Sequence, residues 1–111
     1  MRRAHSGTKR HFYVYAYVRP EHSEYGPDGT PYYIGKGSGK RAWTLHKKRS
    51  GIIRPADNRL IKIIKKNLTE PEAFDLEKRL IRKYGRIDTG SGCLVNLTDG
   101  GDGISGLIFT E

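Results

Sequence analysis

One cysteine, Cys93, stands in a chain of 111 residues, and that scarcity closes two routes. A disulfide within the chain needs a second thiol. A zinc site of the cysteine-rich kind needs ligands that Cys93 and four histidines, scattered without metal-ligand spacing, do not supply. Long apolar runs are also missing. With hydrophobic residues at 35% and charged residues at 30%, no stretch reads as a membrane span or a signal-peptide core, which predicts a water-soluble domain in an intracellular, cytoplasmic setting with no membrane partner. Acidic residues are in deficit, 12 against 21 basic ones, for a net charge of +9. That excess predicts a polyanionic partner, nucleic acid before any other, although a merely soluble or ribosome-associated surface would account for the charge alone. The length allows a single modest core.

What is present centres on Pro31-Tyr32-Tyr33-Ile34-Gly35-Lys36-Gly37-Ser38-Gly39-Lys40-Arg41. Aromatic and β-branched residues from Tyr32 to Ile34 predict a strand, and Gly35, Gly37 and Gly39 predict its break, where the backbone turns sharply or approaches something closely. A helix is expected next, with Ser38 as its N-cap and Lys36, Lys40 and Arg41 placed to attract an anion such as phosphate. A nucleotide-binding phosphate loop is excluded. It needs four residues between its first glycine and the Gly-Lys pair and then a hydroxyl, whereas three separate Gly35 from Gly39 and Arg41 occupies the hydroxyl position.

Upstream, residues 1–10 read as a basic arm, and residues 12–18 alternate. Phe12, Val14, Ala16 and Val18 fall on one face of a strand, and Tyr13, Tyr15 and Tyr17 on the other. Residues 19–30, with the turn signal Pro27-Asp28-Gly29, join the two strands as an extended hairpin. Downstream, residues 40–49 have helical spacing, with Ala42, Leu45, His46 and Arg49 on one face. After a linker at 51–56, Asp57 caps an expected second helix to about Asn67, carrying Leu60, Ile61, Ile63, Ile64 and Leu68, with lysines 62, 65 and 66 outward. Thr69-Glu70-Pro71-Glu72 is a capping box opening a third helix that Gly85 ends. Its inward stripe is Ala73, Leu76, Leu80, Ile81 and Tyr84, and Glu77 lies within it. A carboxylate there is costly unless paired with a cation or a metal. Residues 94–97 read as a short strand, and the acids and glycines of 98–103 lack calcium-loop spacing.

In order, Tyr13-Val14-Tyr15, Tyr33-Ile34-Gly35-Lys36, Arg41, His46, Glu77 and Asn96-Leu97-Thr98-Asp99-Gly100-Gly101 form a set that resembles the GIY-YIG nuclease domain over about residues 12 to 103, in its homing-endonuclease-like branch. Tyr13 stands in place of the glycine of the first half-motif, and Arg41 and His46 are five residues apart where four is common. The resemblance implies an α/β fold, a small three-stranded antiparallel sheet flanked by helices, spanning residues 11–104. It also implies that residues 105–111 lead into a DNA-targeting region, and that the source is bacterial or a phage or other mobile element. The implied activity is divalent-metal-dependent hydrolysis of DNA, expected to be double-stranded, without a small-molecule cofactor. Glu77 is the implied ligand of Mg2+ or Mn2+, and Asn96 an implied supporting residue. Arg41 and Lys36 would offset transition-state charge, Tyr33 would position water or phosphate, and Tyr15, Tyr17 or His46 would be the base. Lys36, Lys40, Arg41, Lys47 and Lys48 would hold the DNA backbone. The alternative is a nucleic-acid-binding module of the same fold without catalysis.

Overall fold

A computed structural model describes residues 9–44 and 54–100. Its sheet follows from the alternation in β1 (Phe12–Val18), where aliphatic and tyrosine side chains point to opposite faces and both faces are covered. Every residue from Tyr13 to Val18 is therefore buried. A strand buried on both faces must lie in the middle, and the strand order is β2-β1-β3, with both pairings antiparallel.

β2 (Pro31–Ser38) returns through the expected hairpin, closed by the Arg19 N–H donating to Thr30 O at 2.9 Å and the Gly29 N–H to Arg19 O at 2.8 Å. Two expectations for this stretch are corrected. Gly35 and Gly37 do not break the strand but lie inside it, and Ser38 ends β2 instead of capping a helix. The turn falls at Gly39, whose φ of +57° is the left-handed conformation that glycine accepts most readily. A 3-10 turn, Arg41–Trp43, follows. Leu45, His46, Lys47, Lys48 and Arg49, on the rest of the expected helix, lie outside the described residues, as do positions 1–8 of the N-terminal arm and residues 101–111.

The expected second helix is also corrected. Asp57 does cap, accepting from the Arg59 N–H at 2.8 Å, but only a 3-10 turn, Asn58–Leu60, follows it. The chain then extends into β3 (Ile61–Leu68). Ile61, Ile63 and Ile64 are β-branched and lose side-chain freedom in a helix, and one edge of β1 was left with backbone groups to satisfy. Pairing along that edge answers both. Two register shifts interrupt it, and Asn67 near one of them has a φ of +61°. Exposed Lys62, Lys65 and Lys66 charge this strand, a feature that opposes pairing with a further sheet.

The third helix forms as expected and is α1 (Glu70–Tyr84). The Glu72 N–H donates to Thr69 Oγ1 at 3.2 Å, and the Thr69 N–H to Glu72 Oε1 at 3.0 Å, so both halves of the capping box are made. Its stripe of Ala73 and Ile81, with Leu76, Leu80 and Tyr84, packs on Val14, Ala16, Val18, Ile34 and Leu94. The strand expected at residues 94–97 is replaced by a segment lying along the outer edge of β2, where the Val95 N–H donates to Tyr32 O at 2.7 Å. The architecture is thus α/β, a three-stranded antiparallel sheet with one α-helix among the described residues.

Candidate active site

Two glycines of β2 bring the sheet close to what covers it. A Cβ on Gly35 would lie 2.5 Å from Cζ and Oη of Tyr15, and one on Gly37 would lie 2.6 Å from Cβ of Arg41. The missing side chains let the Tyr15 ring and the stem of Arg41 lie against the strand. The same face fastens the Arg41 turn from below. Tyr13 Oη donates to Gly39 O at 2.7 Å and accepts from the Ala42 N–H at 3.0 Å, while Tyr17 Oη donates to Ala42 O at 2.8 Å. Ala42 is fully buried between them, and Arg41 is held outward next to it.

An open cleft of about 600 Å³ lies beside this turn, lined by residues that include Tyr33, Lys36, Lys40, Arg41, Phe74 and Glu77. Tyr33 and Arg41 reach it from the tyrosine face and Lys36 and Glu77 from the helix face, so it straddles β2, an edge strand of the sheet. The fold brings together side chains from three separate stretches of sequence. Lys36 is the most confined of the cations lining the cleft. Its Nζ lies 4.8 Å from the Phe12 ring centre and 4.4 Å from that of Phe74, and 3.2 Å from Glu70 Oε2, leaving the side chain 16% exposed. Phenyl faces and one carboxylate surround the ammonium, which orients it.

Glu77 is held from the other side by the loop after residue 96. A Cβ on Gly100, at φ +84°, would sit 3.2 Å from Cγ and 3.3 Å from Cδ of Glu77. A side chain there would crowd Glu77 and be strained by the positive φ. Arg86 ties that loop down, donating through Nη1 to Asp99 Oδ1 at 2.7 Å and through Nε and Nη2 to both oxygens of Asp88. These carboxylates hold the guanidinium well above its ordinary pKa, and the Asp88 carboxyl is lowered by the same contact.

The other expected site residues fall elsewhere. Tyr15 is fully buried beneath Gly35, its hydroxyl without a hydrogen bond of ordinary geometry among the described residues. Burial, then the neighbouring Tyr33 and Tyr17, push its pKa far up, and nearby Arg41 offsets this only in part. That direction is the reverse of what a proton acceptor needs. Tyr17 is pushed up to about 12, chiefly by burial. Asn96 is buried and spends its amide on the backbone of β2: Oδ1 accepts from the Ile34 N–H at 3.0 Å, and Nδ2 donates to Ile34 O at 2.8 Å. It acts as one rung of a missing strand. His46, Lys47 and Lys48 lie outside the described residues.

Sequence reasoning did not find the anchoring by Tyr13 and Tyr17, the aromatic flanks of Lys36, or the Arg86 tie. The tyrosine alternation marked a face with hydroxyls to satisfy, but nothing local told where their partners were. Among the described residues, no group of three or more His, Cys, Asp or Glu side chains could hold a metal between them. The donor set that does face the cleft is hard oxygen, with Glu77 as its one carboxylate. That suits an ion such as Mg2+, which keeps most of its water and takes one or two carboxylates plus substrate phosphate. No protein-family model, no curated protein and no solved structure matches the chain.

Proposed function

We propose that the chain is a divalent-metal-dependent endonuclease of the GIY-YIG type that hydrolyses DNA phosphodiester bonds. The observation that carries this reading is the cleft itself, in which Tyr33, Lys36, Arg41 and Glu77 meet although they are spread over three elements. A cleft in which cations from both faces of the sheet flank one carboxylate fits a phosphodiester and a counter-ion together. The net charge of +9 favours the same polyanion.

Each residue then has a task its surroundings support. Arg41, on a turn pinned by two tyrosine hydroxyls, is preorganised to neutralise charge that develops on the phosphate oxygens, so little reorganisation is left for the reaction. Lys36 and Lys40 hold the flanking backbone. Tyr33 orients the attacking water toward phosphorus through its hydroxyl. That water gives up a proton to solvent as it forms a new P–O bond and the P–O3′ bond breaks, and the departing 3′ oxygen takes up a proton from solvent. Glu77 is the residue that would hold Mg2+ or Mn2+, and the ion, when bound, would act as a Lewis acid on the scissile phosphate. Tyr15, buried and kept neutral, supports the stack of rings beneath Tyr33, whose centre is 6.1 Å from its own.

The test is conversion of supercoiled plasmid to nicked or linear form, with magnesium and with chelator. Magnesium-dependent cleavage is expected. Binding without cleavage under any divalent cation would favour a catalytically silent nucleic-acid-binding module instead.

A further inference from the structure

The turn that holds Arg41 also holds Trp43, and nothing in the nuclease reading uses it. Trp43 is the sole tryptophan of the chain and is 39% exposed, a large apolar ring facing water. It is not loosely placed. Its backbone N–H donates to Lys40 O at 2.9 Å, the backbone N–H of Thr44 donates to Arg41 O at 3.1 Å, and the ring meets Tyr13 edge-on with centres 6.1 Å apart. Ala42, between Arg41 and Trp43, is the point at which Tyr13 and Tyr17 pin the turn, so the guanidinium and the indole flank one fixed anchor. Lys40 and Arg41 are exposed on the same turn, and both line the cleft.

We infer that Trp43 is a stacking platform for an unpaired nucleobase next to the phosphate held by Arg41. The preferred nucleic acid is then one with an unstacked base at that point, not an intact duplex. This rests on the proposed nuclease reading for the phosphate's place, and it deepens that reading by naming the substrate's form. The physical grounds are a solvent-facing aromatic on the same turn as two exposed cations. Every base offers a face to such a ring, and inside a duplex that face is already taken by its neighbours. An adjacent guanidinium secures the phosphate of the same nucleotide, so ring and charge act on adjoining parts of one strand.

Because no second indole interferes, the intrinsic fluorescence of Trp43 reports on the ring directly. The wild-type chain is titrated, in chelator, with oligothymidylate, with a blunt two-stranded duplex of equal charge, and with an abasic strand of the same length. Binding is followed independently by anisotropy of a label on the DNA. Oligothymidylate is expected to quench Trp43, and the abasic strand and the duplex to bind with little quenching. Trp43→Ala should weaken oligothymidylate binding on the order of 10- to 100-fold, the scale of losing one stacked base, while Trp43→Phe keeps most of it. Thermal unfolding of both variants shows that they fold. Equal quenching by all three DNAs, no quenching despite binding, or Trp43→Ala binding oligothymidylate like wild type would each overturn the inference. A protein that cleaves duplex plasmid but shows a silent Trp43 loses this inference and keeps the nuclease reading. One that quenches as expected yet never cleaves keeps the inference as a binding property and loses the nuclease.

Discussion

The two faces of the sheet are built from the same strand and do opposite things. On the α1 side, Val14, Ala16, Val18 and Ile34 meet Ala73, Ile81 and Leu94, a layer of aliphatic groups without hydrogen bonds to satisfy. On the other side, Tyr13, Tyr15 and Tyr17 meet Ala42 and Ile61, and two of the three hydroxyls reach out to fix a turn. Aliphatic packing is strong and non-directional, at roughly 1.5–3 kcal/mol for each large side chain fully buried. Hydrogen bonds contribute less, on the order of 1 kcal/mol each, but specify where atoms sit. The comparison teaches a division of labour: the aliphatic face holds the helix that carries Glu77, the tyrosine face aims Arg41, and the cleft opens where the two faces come together along β2.

The largest effect is expected on the tyrosine face. Arg41→Ala should lower the cleavage rate by roughly two or more orders of magnitude, the scale of deleting a preorganised charge, with little change in thermal unfolding because the guanidinium faces outward. Rate and melting measured on one preparation check this. Next in size, Gly35→Ala forces a methyl group onto the Tyr15 ring. The strain should cost about 1–3 kcal/mol by denaturant titration, whereas alanine at Gly29, where a Cβ meets nothing within 4 Å, is penalised only by its φ of +86°.

Tyr13→Phe sharpens the contrast, because it removes one oxygen that both donates and accepts. A loss of about 1–3 kcal/mol is expected, together with a fall in cleavage larger than that of a helix-face change such as Leu76→Ala at matched stability. Parallel activity and unfolding curves decide it. Asn96→Leu should cost about 1–3 kcal/mol as well, since the Ile34 N–H and C=O lose their shared partner. Hydrogen exchange should show faster exchange of the Ile34 amide before the rest of β2.

The smallest effect expected is on pH dependence at the start of α1. The Thr69 backbone, then Arg10, hold the Glu72 carboxyl below its ordinary pKa, so its contribution is present above the unfolded value and is lost as pH falls through the folded one. Melting temperature should therefore decline as pH drops below about 4, with a slightly shallower slope in Glu72→Gln.

Much of this architecture was legible because the signals were local. Alternation gave both faces of β1, the capping box and Gly85 gave both ends of α1, and Pro27-Asp28-Gly29 gave the hairpin. Residues 61–68 misled, because their isoleucines and lysines fit a helical stripe as well as a strand. The free edge of β1, a feature of the folded sheet, decided the matter. The resemblance singled out Asn96, but its bonds to Ile34, 62 positions away, were not legible. Glu77 was legible from the physics of its position, since a carboxylate within an apolar stripe calls for a partner.

On the proposed reading, the cleft joining the two faces is a catalytic site and not a structural junction. Glu77→Ala tests it most directly, with magnesium-dependent cleavage, DNA affinity and thermal unfolding measured side by side against wild type. The expected result is a folded protein that binds DNA at least as tightly, because a negative charge has left the cleft, and that no longer cleaves. A variant that melts early but still cleaves at the wild-type rate would contradict it.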